Sequence, residues 1–264
     1  MRVASIFRYP VKGLSAERLS RVSLEAGGFV PHDRLFAIEN GPSGFDPNQP
    51  AHQPKIKFLT LMRNAALARL DTRFDEASGE LILREGGREA ARGDLGAEQG
   101  RAAVTRFLED FLPDGERRGP LKLLAAPDGS RFTDSRRGFV SLINLASVAA
   151  LEERLGAPLD PLRFRGNLHV EGLRAWEEFE LVGRSFEAPS GLRLTITSRI
   201  DRCAATEVEP GSGLRDLPVP RRLMEAFGHV DCGVYAEVTR SGSLSEGHRL
   251  LEMPQAEPVG LGLR

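Results

Sequence analysis

Apolar residues in this chain gather in short runs, and glycine or proline interrupts nearly every one. The run 2–8 ends at Tyr9-Pro10, the alternating run 19–24 closes at Gly27-Gly28, and 34–39 stops at Asn40-Gly41-Pro42. Runs this short and this regularly broken suit β-strands joined by turns. They do not suit a parallel sheet, which needs a helical crossover between its strands. Further strands are predicted at 65–71, 80–84, 168–171, 180–182, 192–197, 235–239 and 249–252.

Three stretches carry a helical period. Apolar residues at 103, 104, 107, 108 and 111 predict a helix over 101–111, ended by Pro113. Val148, Leu151 and Leu155 predict a second over 147–155, with Asn144 or Ser147 as cap and Gly156 as stop. A short third is predicted over 220–227. Segment 41–54 is rich in Gly, Pro, Asn and Gln and reads as an exposed loop. Segment 86–100 is polar and Gly-rich and reads as a linker. The expected fold is mostly β with a few helices, of the α+β class, as a barrel or sandwich. No internal repeat and no heptad pattern is present.

Formal net charge is -1, so no global field recruits nucleic acid or acidic membrane. No apolar run is long enough to span a bilayer, and the first ten residues lack the core of a signal peptide. Two cysteines suit a reducing compartment. The expectation is a soluble, cytoplasmic protein without nucleic-acid or membrane partners. No P-loop, dinucleotide fingerprint or Gly-x-Ser-x-Gly elbow occurs. Gly211-Ser212-Gly213 reads as a plain turn. The five histidines lack zinc-type spacing, and His169 reads as a core or surface residue.

Cys203 follows an apolar run as it gives way to a turn, with Arg199 and Arg202 beside it. Such neighbours favour a thiolate, a soft metal ligand and a nucleophile. A small buried apolar side chain is the plainer alternative. Four polar clusters fall at element boundaries, where binding residues concentrate. They are Tyr9-Pro10-Val11-Lys12-Gly13, His32-Asp33-Arg34, Phe132-Thr133-Asp134-Ser135-Arg136 and Leu162-Arg163-Phe164-Arg165-Gly166-Asn167. Lysine occurs only at 12, 55, 57 and 122, and the other basic residues are arginine. A phosphate-bearing ligand needs such donors, lysine as a point charge and arginine as a fork. Ordinary surface ion pairs and turn residues are the alternative.

These segments resemble the MOSC family of molybdenum-cofactor proteins. Tyr9–Gly13 resembles its opening Tyr-Pro-Ile-Lys-Ser/Gly, His32-Asp33-Arg34-Leu35-Phe36-Ala37 its Gly-Asp-Arg strand, and Lys57-Phe58-Leu59-Thr60 its Phe-Leu-Thr segment. Arg163-Phe164-Arg165-Gly166-Asn167-Leu168 is similar to the core Arg-Phe-Arg-Pro-Asn-Ile/Leu motif. Ala175-Trp176-Glu177-Glu178, Arg202-Cys203 with Thr206, and Gly233-Val234-Tyr235 follow in order. Gly13, Gly166 and Asp201 stand where relatives often carry serine, proline and a small residue.

The resemblance implies an N-terminal MOSC β-barrel domain over 1–100 and a C-terminal MOSC β-barrel domain over 101–264. A molybdenum-molybdopterin cofactor would lie between them. It implies Cys203 as the metal ligand and catalytic residue. Lys12, Gly13, Arg34, Asp134, Ser135, Arg165, Arg202 and Tyr235 would surround the cofactor. Its implied reaction reduces N-hydroxylated small molecules, N–OH to N–H. Electrons would come from a separate donor protein, a ferredoxin, flavoprotein or cytochrome b5-like protein, because this chain lacks a ferredoxin-type cysteine set. Two other roles stay open: a sulfur carrier using a Cys203 persulfide, which would need a partner because no pyridoxal-phosphate desulfurase module is present, and a cofactor carrier.

Overall fold

The computed structural model describes residues 1–134 and 140–254. Among them the first stretch holds β1 (Arg2–Arg8), β2 (Glu17–Leu19), β3 (Arg21–Leu24), β4 (Phe36–Asn40), β5 (Leu70–Phe74), β6 (Glu80–Glu85), β7 (Arg88–Asp94), α1 (Glu98–Phe111) and β8 (Leu121–Ala125). The second holds β9 (Val140–Asn144), α2 (Leu145–Leu155), β10 (Leu168–Glu171), β11 (Ser185–Glu187), β12 (Arg193–Asp201), α3 (Val219–Phe227), β13 (Asp231–Arg240), β14 (Gly242–Ser245) and β15 (Leu251–Glu252). The chain is mostly β with three α-helices, as expected.

The largest sheet has eight strands in the order β15-β11-β12-β13-β9-β10-β1-β2. It stays open between β15 and β2, and its β9–β10 pair runs parallel through the α2 crossover. Strands β12 and β13 alternate, placing Leu194, Ile196, Val234 and Ala236 in a core with Val3, Ile6, Leu142 and Leu168. The first strand of the chain is thus built into the sheet of its second half. A separate core joins Val11, Phe36, Ile38, Leu59 and Leu83 to Val104 and Leu108 of α1 and Leu121 of β8. Strand β4 pairs with β8, and β5, β6 and β7 form a meander beside them.

The cap and stop of α2 follow the sequence. The Asn144 side chain accepts from Ala146 N–H at 3.1 Å, and Gly156 ends the helix in the left-handed region at φ 66°. Other segments differ. Segment 86–100 is not a linker: it forms β7 and opens α1. Strand β7 is an edge strand with mostly exposed residues, so no apolar alternation marks it. Residues Ala65–Arg69 form a 3-10 helix, in keeping with their Ala-Ala-Leu-Ala composition, and the strand begins at Leu70. Glu177–Leu181 is likewise a 3-10 helix where a strand was predicted over 180–182. Strand β9 is buried on both faces, so its run lacks the period of two that would identify it.

Candidate functional site

Four chain segments bring polar side chains to one cleft between the two cores. The turn after β1 carries Lys12, whose backbone N–H donates to the Phe36 carbonyl at 2.8 Å. The turn before β4 carries His32 and Arg34 at φ 59° and 47°, and the 3-10 turn before β10 ends on Arg165 at φ 52°. Non-glycine residues in this left-handed region are uncommon and concentrate at functional sites. The fourth segment is the end of β12, where register shifts against β13 at Ile196/Ser198 and Arg199/Asp201 precede Arg202 and Cys203.

Tyr9 organises the cleft. Its buried ring lies between two guanidinium groups, Arg34 at 4.2 Å and Arg165 at 4.3 Å from the centroid. Its backbone N–H donates to Asp33 Oδ1 at 2.7 Å. Arg34 Nη1 donates to both Asp33 oxygens, at 2.7 and 2.5 Å, and Arg34 Nη2 to the Arg165 carbonyl at 2.8 Å. Arg165 Nη1 donates to the Leu14 carbonyl at 2.8 Å. Burial opposes the Arg34 charge, but Asp33 and Tyr9 outweigh it and its pKa rises. Burial, and then repulsion from Arg34, pushes Arg165 down to about 10.

Lys12 is buried, and its Nζ donates to the Phe132 carbonyl at 2.9 Å and to Asp134 Oδ1 at 2.6 Å. Burial lowers its pKa although Asp134 opposes the shift. Lys55 Nζ lies 3.8 Å from Asp134 Oδ2. Burial opposes the Lys55 charge, but Asp134 and the side chain of Cys203 outweigh it and raise its pKa.

The cavity has a volume of about 180 Å³. Lys12, Gly13, Arg34, Lys55, Thr60 and Asp134 line one side, and Arg165, Asp201, Arg202, Cys203 and Tyr235 the other. Six basic and three acidic side chains border it, an excess of three positive charges. Arg163 is bound elsewhere, its two Nη groups donating to the Asp216 carboxylate at 2.8 and 2.7 Å. The hydroxyl of buried Thr60 has no hydrogen-bond partner. Cys203 is half-buried and free, and no histidine lines the cavity. An electropositive, partly dry cleft with one thiol is suited to an anionic ligand.

Lys12, Gly13, Arg34, Asp134, Arg165, Arg202, Cys203 and Tyr235, singled out from sequence, all line this one cavity. Ser135 lies outside the described residues. Arg202 carries a structural load as well: its guanidinium donates to the Phe164 carbonyl at 2.8 Å and, through Nε, to the Cys232 carbonyl at 2.7 Å. It ties the end of β12 to β13 and to the turn bearing Arg165. Gly13 contributes backbone: at φ 88° its Cβ would stand 2.8 Å from the Leu59 carbonyl oxygen. Sequence reasoning missed Lys55, although its rarity as a lysine was a usable signal. It also missed Thr60 as a cavity residue. His169 is buried in the core beside Phe7, with ring centroids 4.8 Å apart, and takes no part.

Residues 1–112 match the model of the MOSC N-terminal beta barrel domain, and residues 130–250 match that of the MOSC domain. The chain belongs to the MOSC-domain family. Solved structures similar to this MOSC-domain protein include the YUAD protein from Bacillus subtilis, 12% identical over 94% of this chain and 92% of that one, with a TM-score of 0.44. Another is YiiM from Geobacillus stearothermophilus, 21% identical over 46% of this chain and 56% of that one, with a TM-score of 0.35. No curated protein gives a match. MOSC domains usually bind a molybdenum cofactor or carry sulfur. No helix among the described residues is long and apolar enough to cross a membrane.

Proposed function

We propose that this MOSC-domain protein binds a molybdenum-molybdopterin cofactor and reduces N-hydroxylated small molecules with electrons from a separate donor protein. The observation that carries this reading is the coincidence, in one cavity, of a buried excess of cationic donors and a single accessible thiol. Among the described residues no group of three or more His, Cys, Asp or Glu side chains could hold a metal. A metal held beside Cys203 therefore needs ligands brought by a cofactor, which fits molybdopterin. In this reading the Cys203 thiolate ligates the metal. Arg34, Arg165, Lys12 and Lys55 bind and orient the anionic part of the cofactor.

When bound, the cofactor supplies two-electron redox and oxygen-atom chemistry that no side chain provides. The net change takes two electrons and two protons, breaks N–O, forms N–H and releases water. Burial raises the pKa of Tyr235, so its Oη keeps its proton at neutral pH and serves as a donor in the cavity wall. The chain has two cysteines and so cannot house a ferredoxin-type cluster. In this reading a separate ferredoxin, flavoprotein or cytochrome b5-like partner delivers the electrons.

The half-buried, free Cys203 also supports a second reading, a persulfide sulfur carrier. One experiment separates them. Protein made in a molybdopterin-producing host is assayed for molybdenum per chain and for reduction of benzamidoxime by reduced methyl viologen. Near-stoichiometric metal with turnover, both lost in Cys203→Ala while the melting transition persists, is the expected outcome. Metal-free protein bearing a Cys203 persulfide overturns the reductase reading.

A further inference from the structure

A second cavity, of about 450 Å³, lies behind the Lys12 wall of the first. Its volume is in the range that holds small-molecule ligands. Phe29, Phe45, Phe58 and Phe132 line it, together with Arg131 and Lys12. Phe132 is the hub: its ring centroid lies 5.0 Å from that of Phe45 and 5.3 Å from that of Phe58. Rings at such separations and inclinations leave flat, polarised faces that favour another planar ring.

One group in this wall is conspicuously under-used. The Arg131 guanidinium donates through Nη1 to the Ser130 carbonyl at 2.5 Å and sits 5.4 Å from the Phe29 centroid. Its Nε is buried without a hydrogen-bond partner. Among the described residues no carboxylate lies within ion-pair distance of it. Asp33 and, less strongly, Asp128 act on Arg131 through space without forming an ion pair, and of the two Asp128 lines this cavity. Burial consequently lowers its pKa. Lys12, the other cation here, is already engaged by Asp134 and the Phe132 carbonyl. A planar fork with unspent donors matches the two coplanar oxygens of a carboxylate.

We propose that this cavity is a binding site for a small aromatic carboxylate, its ring among the phenylalanines and its carboxylate on Arg131. The proposal does not depend on the identity of the ligand in the first cavity, although Lys12, Phe132 and Thr133 form a wall common to both. A ligand seated there rests against the residue whose carbonyl holds Lys12.

The test is calorimetric titration of the whole protein with benzoate, with cyclohexanecarboxylate and sulfate as comparators. Benzoate is expected to bind saturably at one site, more tightly than cyclohexanecarboxylate, and sulfate is expected not to displace it. Arg131→Met should weaken benzoate at least about tenfold, the size expected for losing a charge-assisted pair. Arg131→Lys, which keeps the charge and loses the fork, should fall between. Phe45→Ala, at a partly exposed ring, should weaken it several-fold with the melting transition retained. Absence of saturable benzoate binding overturns the proposal. So does unchanged affinity in Arg131→Met, which would place the anion elsewhere, or displacement by equimolar sulfate, which would remove the role of the ring.

Discussion

Arg165→Met separates the ligand-binding role of the cleft from its contribution to folding. Burial and the neighbouring Arg34 drive Arg165 from the ordinary arginine range down to about 10. For a base, a lower folded pKa means that the charge destabilises the fold at all pH values below the folded pKa. The cost is relieved only as pH rises above about 10 toward the ordinary arginine range. At about 1.4 kcal/mol per unit, the charge costs the ligand-free protein about 3 kcal/mol at neutral pH. Methionine removes that cost. It also removes the hydrogen bond to Leu14, worth about 1.5–3 kcal/mol for a charged donor, and the contact with Tyr9, about 0.5–2 kcal/mol. The opposing effects nearly cancel, so the ligand-free variant should stay within about 2 kcal/mol of the parent, a few degrees in melting temperature for a chain of this size. Anion binding has no such compensation. An anion at a hundred times its dissociation constant stabilises the parent by about 2.7 kcal/mol, and tenfold weaker binding halves that gain. Melting curves with and without inorganic pyrophosphate measure both quantities. A ligand-free variant destabilised by more than about 4 kcal/mol, or an undiminished pyrophosphate shift, would refute the view that this arginine is held at a folding cost for the sake of an anion.

Three further predictions concern His169 and the two cysteines. Burial pushes His169 down to about 4, so the unfolded chain binds the extra proton between about pH 6.5 and 4, and stability falls as the solution is acidified through that window. The loss from pH 7 to 5 is about 2 kcal/mol, and urea titrations of His169→Gln should show a pH slope shallower by that amount; an equal slope would contradict it. Burial raises the Cys232 thiol to about 12, so a maleimide should label one cysteine per native chain, at Cys203, and two after unfolding. Cys232→Ala should leave reduction of N-hydroxylated probes intact, and its loss would point to a redox pair with Cys203.

What could be read from the sequence was local. Lys12, Arg34, Arg165 and Cys203 each sit beside a strand end or turn that the apolar runs and glycines mark. Position alone left ordinary ion pairs and a packed thiol open, the resemblance to the MOSC family implied a shared site, and the fold brings these residues to one cavity. The partners of those side chains were not legible, because they are main-chain carbonyls and distant residues. Arg202 bonds the carbonyls of Phe164 and Cys232, and Lys12 bonds the carbonyl of Phe132, 120 residues away. Strand β7 escaped detection because an exposed edge needs no apolar face, and β9 because a strand buried on both sides has no alternation.

The aromatic cavity escaped for a further reason. Phe29, Phe45, Phe58 and Phe132 come from four separate loops and strand ends, with no shared period, and only the packing of Phe132 against Phe45 and Phe58 makes them one wall. That same Phe132 presents its ring to the second cavity and its carbonyl to Lys12 in the first. The backbone of residues 132–134 therefore couples the two. A ligand that displaces the backbone at Phe132 along with its ring would move an acceptor of the Lys12 ammonium, whose burial makes the loss of a hydrogen bond expensive. Binding of an aromatic carboxylate and binding of an anion in the first cavity are thus expected to be energetically linked, and by reciprocity each should change the affinity of the other by the same factor.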